Sequence, residues 1–65
     1  MTQALCTVRE INTAVWENVS CRNNGVYCQM SDHSVLRVTH ARTTKGILQV
    51  KTFHGWVVPV AVWKA

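Results

Sequence analysis

Val19-Ser20-Cys21-Arg22-Asn23-Asn24-Gly25-Val26-Tyr27-Cys28-Gln29-Met30-Ser31 is the stretch from which the fold is read. Asn24-Gly25 between two alternating runs favours a two-residue type I′ turn, because both residues tolerate positive φ. With those two in the loop, Cys21 faces Cys28, Val19 faces Met30 and Arg22 faces Tyr27. One side of the ribbon then carries Val19, Cys21, Val26, Cys28 and Met30, and the other Ser20, Arg22, Tyr27, Gln29 and Ser31. Apolar and polar residues separate cleanly, as a half-buried antiparallel sheet requires.

Downstream the pattern continues as strands divided by turn signals. Ser31-Asp32-His33-Ser34 breaks the ribbon, and Val35 to Thr43 follows as a strand rich in β-branched residues. Thr44-Lys45-Gly46 fits a three-residue loop with Gly46 in the left-handed region. That register pairs His40 with Val50 and puts Leu36, Val38, Leu48 and Val50 on one face, with Arg37, Thr39, Gln49, Lys51 and Phe53 on the other. His54-Gly55 is a third turn, leading into a last strand from Trp56 to Trp63 that is apolar on both faces. Pro59 within it cannot donate to a ladder, which places it at an edge or a bulge.

Upstream, Thr7-Val8-Arg9-Glu10 has the spacing of a capping box, and Ala4, Val8, Ile11, Val15 and Val19 recur every three or four residues. The many Thr, Val, Ile and Asn residues oppose a helix there by propensity, and a strand competes with it. The periodicity favours a short helix packed across a sheet. The expected fold is therefore α+β or mainly β: an antiparallel meander of about four strands over residues 19–64 with a short N-terminal helix. A small SH3-like all-β barrel is the alternative.

The 65 residues make one domain, 1–65, because chains this short rarely hold two cores. Such a domain buries only roughly 60% of its unfolded surface, so its margin of stability is thin. With 48% apolar and 15% charged residues the chain is too hydrophobic to be disordered. No apolar run reaches a membrane span, and Met1 to Cys6 lacks the features of a signal peptide. The expected compartment is the cytoplasm, which suits an odd count of three cysteines. Seven Lys/Arg against three Asp/Glu give a formal charge of +4. That charge serves solubility and equally attracts polyanions.

Catalytic motifs are absent. Cys6, Cys21, Cys28, His33, His40 and His54 could ligate zinc by type, but none form the closely spaced knuckle of a structural site. Cys21 and Cys28 read instead as small core hydrophobes. No local signature surrounds a nucleophile, no pair of acids stands together, and the three glycines sit at turns rather than in a phosphate-cradling loop. The expectation is a non-enzymatic binding protein without metal or cofactor.

Two surfaces stand out. An outer sheet face carrying Arg22, Tyr27, Arg37, Lys51 and Phe53 interleaves cations with aromatic rings, the combination that single-strand nucleic-acid binders use. Sheet faces are also Arg/Lys-rich for solubility alone, and no module signature accompanies this one. The second surface is the last strand, where Trp56, Val58, Val60 and Trp63 would form a protein interface, either to a target or to a second copy. At least two of Trp16, Trp56 and Trp63 are expected in the core, where a small domain obtains burial from large rings. Nucleic acid is thus the first expected partner. A protein target is the second, with the chain as a compact inhibitor or adaptor of the size of phage-encoded ones.

Overall fold

The computed structural model describes residues 3–17 and 25–64. It is a small, mostly antiparallel β protein with one helix, in the order β1 (Gln3–Ala4), α1 (Val8–Glu17), β2 (Val26–Gln29), β3 (Val35–Arg37), β4 (His40–Thr44), β5 (Ile47–Thr52), β6 (Gly55–Val57) and β7 (Ala61–Lys64). The strands form two sheets, β1-β7-β2-β3 and β4-β5-β6, and all pairings are antiparallel. The sheets do not close into a barrel, so the SH3-like alternative is set aside.

The helix forms where the periodicity puts it. Thr7 is its N-cap: the Glu10 N–H donates to Thr7 Oγ1 at 3.1 Å, and the Thr7 hydroxyl donates to Glu10 Oε1 at 3.0 Å. Ile11 and Ala14 are buried, while Val8 and Val15 pack around them half-buried. This stripe lies against the inner faces of both sheets, which supply Val26, Cys28, Val38, Ala41, Val50 and Val62. Ile11 and Val50 are fully enclosed, and burying each contributes roughly 1.5–3 kcal/mol. The core is aliphatic. No tryptophan is fully buried: Trp16 is 80% exposed, Trp56 is 37% exposed and Trp63 is half-buried, against the expectation that rings would fill the centre. Small branched side chains from two short sheets leave little space for an indole.

Four expectations of register are corrected. The Asn24-Gly25 hairpin falls largely on residues 18–24, outside the described residues, but Cys28 itself stands opposite Leu36 on β3 and Val62 on β7. Both edges of β2 are therefore taken, by β3 and β7. The expected strand from Val35 to Thr43 is broken at Val38-Thr39. The Val38 N–H donates to Val26 O in one sheet and the next N–H, of Thr39, to Lys51 O in the other, each at 2.9 Å. This is a corner at which the chain changes sheets.

The loop after Thr44 has two residues rather than three. Lys45 (φ 53°) and Gly46 (φ 78°) form a type I′ turn closed by Thr44 and Ile47, so His40 pairs with Lys51 and not with Val50. A second left-handed glycine, Gly55 at φ 92°, ends the Phe53-His54 loop of the β5-β6 hairpin. Finally, the run from Trp56 to Trp63 is two strands in different sheets. Pro59 lies in the break, having no N–H with which to continue a ladder, and the Val60 N–H resumes pairing on Gln29 O at 2.8 Å.

Candidate functional site

The corner and the short loop decide which side chains face out. Strict alternation from Leu36 and Val38 would carry His40 and Arg42 inward. Because the chain turns at Val38-Thr39, the next inward residue is Ala41, and His40 and Arg42 emerge on the solvent side of the β4-β5-β6 sheet. Register then assembles the face. His40, Lys51 and Trp56 lie in one row across the three strands, and Arg42 and Gln49 lie in the next.

These residues contact one another. The Arg42 guanidinium lies 4.1 Å from the centroid of the Trp56 ring, and its Nε donates to Gln49 Oε1 at 2.9 Å. A guanidinium has five N–H donors, so the Gln49 bond leaves others for an incoming acceptor. Stacking on the indole is worth about 0.5–1 kcal/mol at an exposed site and orders a long side chain in advance of any ligand. Lys45 caps one end of the β4-β5 hairpin, and Phe53 with His54 caps the β5-β6 hairpin. Ile47 and Val58 are exposed as well.

The charge distribution along the chain matches this face. Residues 33–65 contain Arg37, Arg42, Lys45, Lys51 and Lys64 and no Asp or Glu, a charge of +5. Residues 1–32 contain Arg9 and Arg22 against Glu10, Glu17 and Asp32, a charge of −1, and the two parts sum to the +4 of the whole. Both turns of the β4-β5-β6 sheet and all three of its strands fall in the acid-free part. This asymmetry is visible in the sequence and is the signal by which Arg42 and Lys45 could have been found. The dispersed appearance of the cations hides it.

The five cations and rings first singled out do not share one surface. Tyr27 and Arg37 are cross-strand partners on β2 and β3, and Tyr27 also faces Trp63 on β7. They belong to the outer side of the four-stranded sheet, where Tyr27 and Trp63 are half-buried and Arg37 is exposed. A Cβ on Gly25 would come within 2.9 Å of the Arg37 guanidinium carbon, so glycine there lets the side chain lie close. Lys51 and Phe53 belong to the other sheet, and Arg22 lies outside the described residues. Of the expected protein interface, Trp56, Val58 and Val60 are exposed, whereas Trp63 is hemmed between Ala4 and Tyr27.

Among the described residues, other features hold no comparable constellation. A groove of about 320 Å³ between α1 and β7 is lined by Leu5, Thr7, Arg9, Glu10, Glu17 and Lys64, with both charge signs mixed. Among the described residues no three of His, Cys, Asp and Glu gather as a metal site, and no helix is long and apolar enough to cross a membrane. Cys28 is a free buried thiol whose pKa is pushed up by burial, and Cys6 is free and exposed. Asp32, in the β2-β3 turn, accepts from the Ser34 hydroxyl at 2.6 Å and the Ser34 N–H at 3.0 Å. Those bonds, the hydroxyl foremost, hold its carboxyl below the usual range. No family model, curated protein or solved structure matches the chain. The functional reading therefore rests on geometry and charge.

Proposed function

We propose that this chain is a non-enzymatic nucleic-acid-binding module whose ligand lies on the outer face of the β4-β5-β6 sheet. The observation that carries this reading is the Arg42–Trp56 stack, set beside Lys51 and His40 in a part of the chain that has no acid. Cations follow a phosphate backbone, while an aromatic face accepts any base by stacking. Arg42, Lys45 and Lys51 are the phosphate-contacting residues in this reading, and Trp56 is the stacking residue. Tyr27 and Arg37 are cross-strand neighbours on the other sheet and take no part in the contact.

Fluorescence anisotropy with a labelled oligonucleotide at several salt concentrations tests it. Three phosphate contacts give a slope of log K against log salt of roughly −2 on a single strand. Lys51→Ala should flatten the slope by about 0.7, one lost contact. Trp56→Ala should cost about 1–3 kcal/mol and flatten the slope by no more than the one contact, about 0.7, of the Arg42 that the ring orders.

A second reading is favoured by the exposure of Val58 (54%) and Val60 (67%) next to Trp56. These three would dock on a protein, a target or a second copy of the chain, through an interface that responds little to salt. Absence of oligonucleotide binding at low salt, with sedimentation showing a species heavier than 7.3 kDa, would favour it.

A further inference from the structure

We infer that the β5-β6 hairpin takes an extended single strand rather than a duplex, with Phe53 as a second base-stacking residue beyond Trp56; this rests on the nucleic-acid reading above. Phe53 is 93% exposed. One exposed ring is ordinary on a protein surface, and it is the position of this one that is informative.

The tip that carries Phe53 is held firmly. Thr52, directly before it, is buried, and its hydroxyl oxygen accepts the His54 N–H at 3.1 Å while the hydroxyl donates to Gly55 O at 3.2 Å. Gly55 closes the turn at φ 92°, a conformation that L side chains rarely adopt. The Phe53 ring meets the His54 ring edge-on, with centroids 5.3 Å apart. The exposed ring is therefore presented on an ordered turn.

Spacing along the hairpin then selects the ligand. Trp56 stands opposite Lys51, and Phe53 lies two residues beyond Lys51, roughly 7 Å at the rise of a strand. Successive nucleotides of a duplex strand follow at about 3.4 Å. Bases stacked on each other cannot meet Trp56 and Phe53 in succession, whereas a strand drawn out with its bases unstacked can. Lys51 stands beside Trp56 in the same row, two residues short of Phe53, where the phosphate next to a base on Trp56 would pass. His40, across from Lys51 on β4, flanks the same point. A two-stranded ribbon can also enter a duplex major groove, but it reads base edges there through donors and acceptors, and the tip of this ribbon offers a phenyl ring.

The test compares a labelled single strand of about 12 nucleotides, within the usual site size for such modules, with the matching duplex. The full chain and its Phe53→Ala and Phe53→Trp variants are measured on both. Phe53 buries almost nothing, so circular dichroism should show both variants folded. The single strand should bind the parent at least about tenfold more tightly than the duplex. Phe53→Ala should lower single-strand affinity about 5- to 150-fold, the span of one aromatic–base stack, with salt slope and duplex affinity unchanged. Phe53→Trp should restore it. Equal affinity for single strand and duplex, or a Phe53→Ala variant that binds the single strand as the parent does, would overturn the inference while leaving nucleic-acid binding in place. Failure of the parent to bind either probe at low salt would remove the nucleic-acid reading together with it.

Discussion

Lys45 occupies the first central position of the β4-β5 turn with φ 53°, where asparagine, aspartate or glycine is the usual occupant. A side chain other than these in the left-handed region costs roughly 1–2 kcal/mol. Lys45→Asn should raise stability by about 0.5–1 kcal/mol, because the turn geometry is retained and its strain falls. Denaturant unfolding would show this as a higher midpoint at unchanged slope, and a lower midpoint would mean that the lysine stem makes a compensating contact. Gly46 was legible at its left-handed position because glycine next to a strand end announces it. Lys45 was not, since a lysine gives no sign of positive φ, and spacing alone makes the loop one residue too long. That single residue moved His40 from Val50 to Lys51 and so changed which side chains share a face. The pKa of Asp32 has a clear direction at this scale too. Its carboxylate is favoured in the fold, so it contributes to stability above the carboxylate range, and that contribution is lost as pH falls through its lowered pKa.

Among elements, β4 is an edge strand of its sheet, and edges invite pairing with other chains. Here the helix guards it. The Ala41 N–H donates to Asn12 Oδ1 at 2.9 Å and Asn12 Nδ2 donates to Ala41 O at 3.3 Å, so one carboxamide imitates the next strand. Asn12→Ala should cost about 1–3 kcal/mol, the usual loss when a partly buried donor and acceptor are left without partners. It should also increase association at high concentration, read by sedimentation alongside thermal unfolding. A loss of stability without any added association would mean that Thr43 and its neighbours suffice to protect the edge. The helix itself could be read from Val8, Ile11 and Val15 and from the Thr7/Glu10 spacing, because those signals are local. The corner at Val38-Thr39 could not. Neither residue is a glycine or proline, and what bends the chain is a choice of acceptors at Val26 and Lys51, both 12 residues away in sequence. Alternation carried past an unseen corner assigns His40 and Arg42 to the wrong side. This is why alternation places Lys51 and Phe53 on their hairpin and misses the cation that stacks on Trp56.

At the scale of the whole molecule, β1 and β7 meet: Gln3 pairs with Lys64 and Ala4 with Trp63, so β7 is enclosed between β1 and β2. The apolar C-terminal run that looked like surplus surface is thus partly interior, at Val57, Val62 and Trp63, while Trp56, Val58, Val60 and Ala61 stay exposed. Charge is distributed on the same scale, with acids confined to the first 32 residues and the proposed face built from the rest. The corner has a final consequence for how this domain comes apart. Two consecutive amides, Val38 and Thr39, answer to different sheets, so neither sheet can open without pulling on the residue that begins the other. Partial unfolding of one sheet alone is thereby disfavoured, and the domain should melt as one cooperative unit. Native-state hydrogen exchange reads this directly: both amides should exchange with the same opening free energy, equal to that of global unfolding. Protection that differed between the two neighbours would reveal two independently opening halves joined only by the chain.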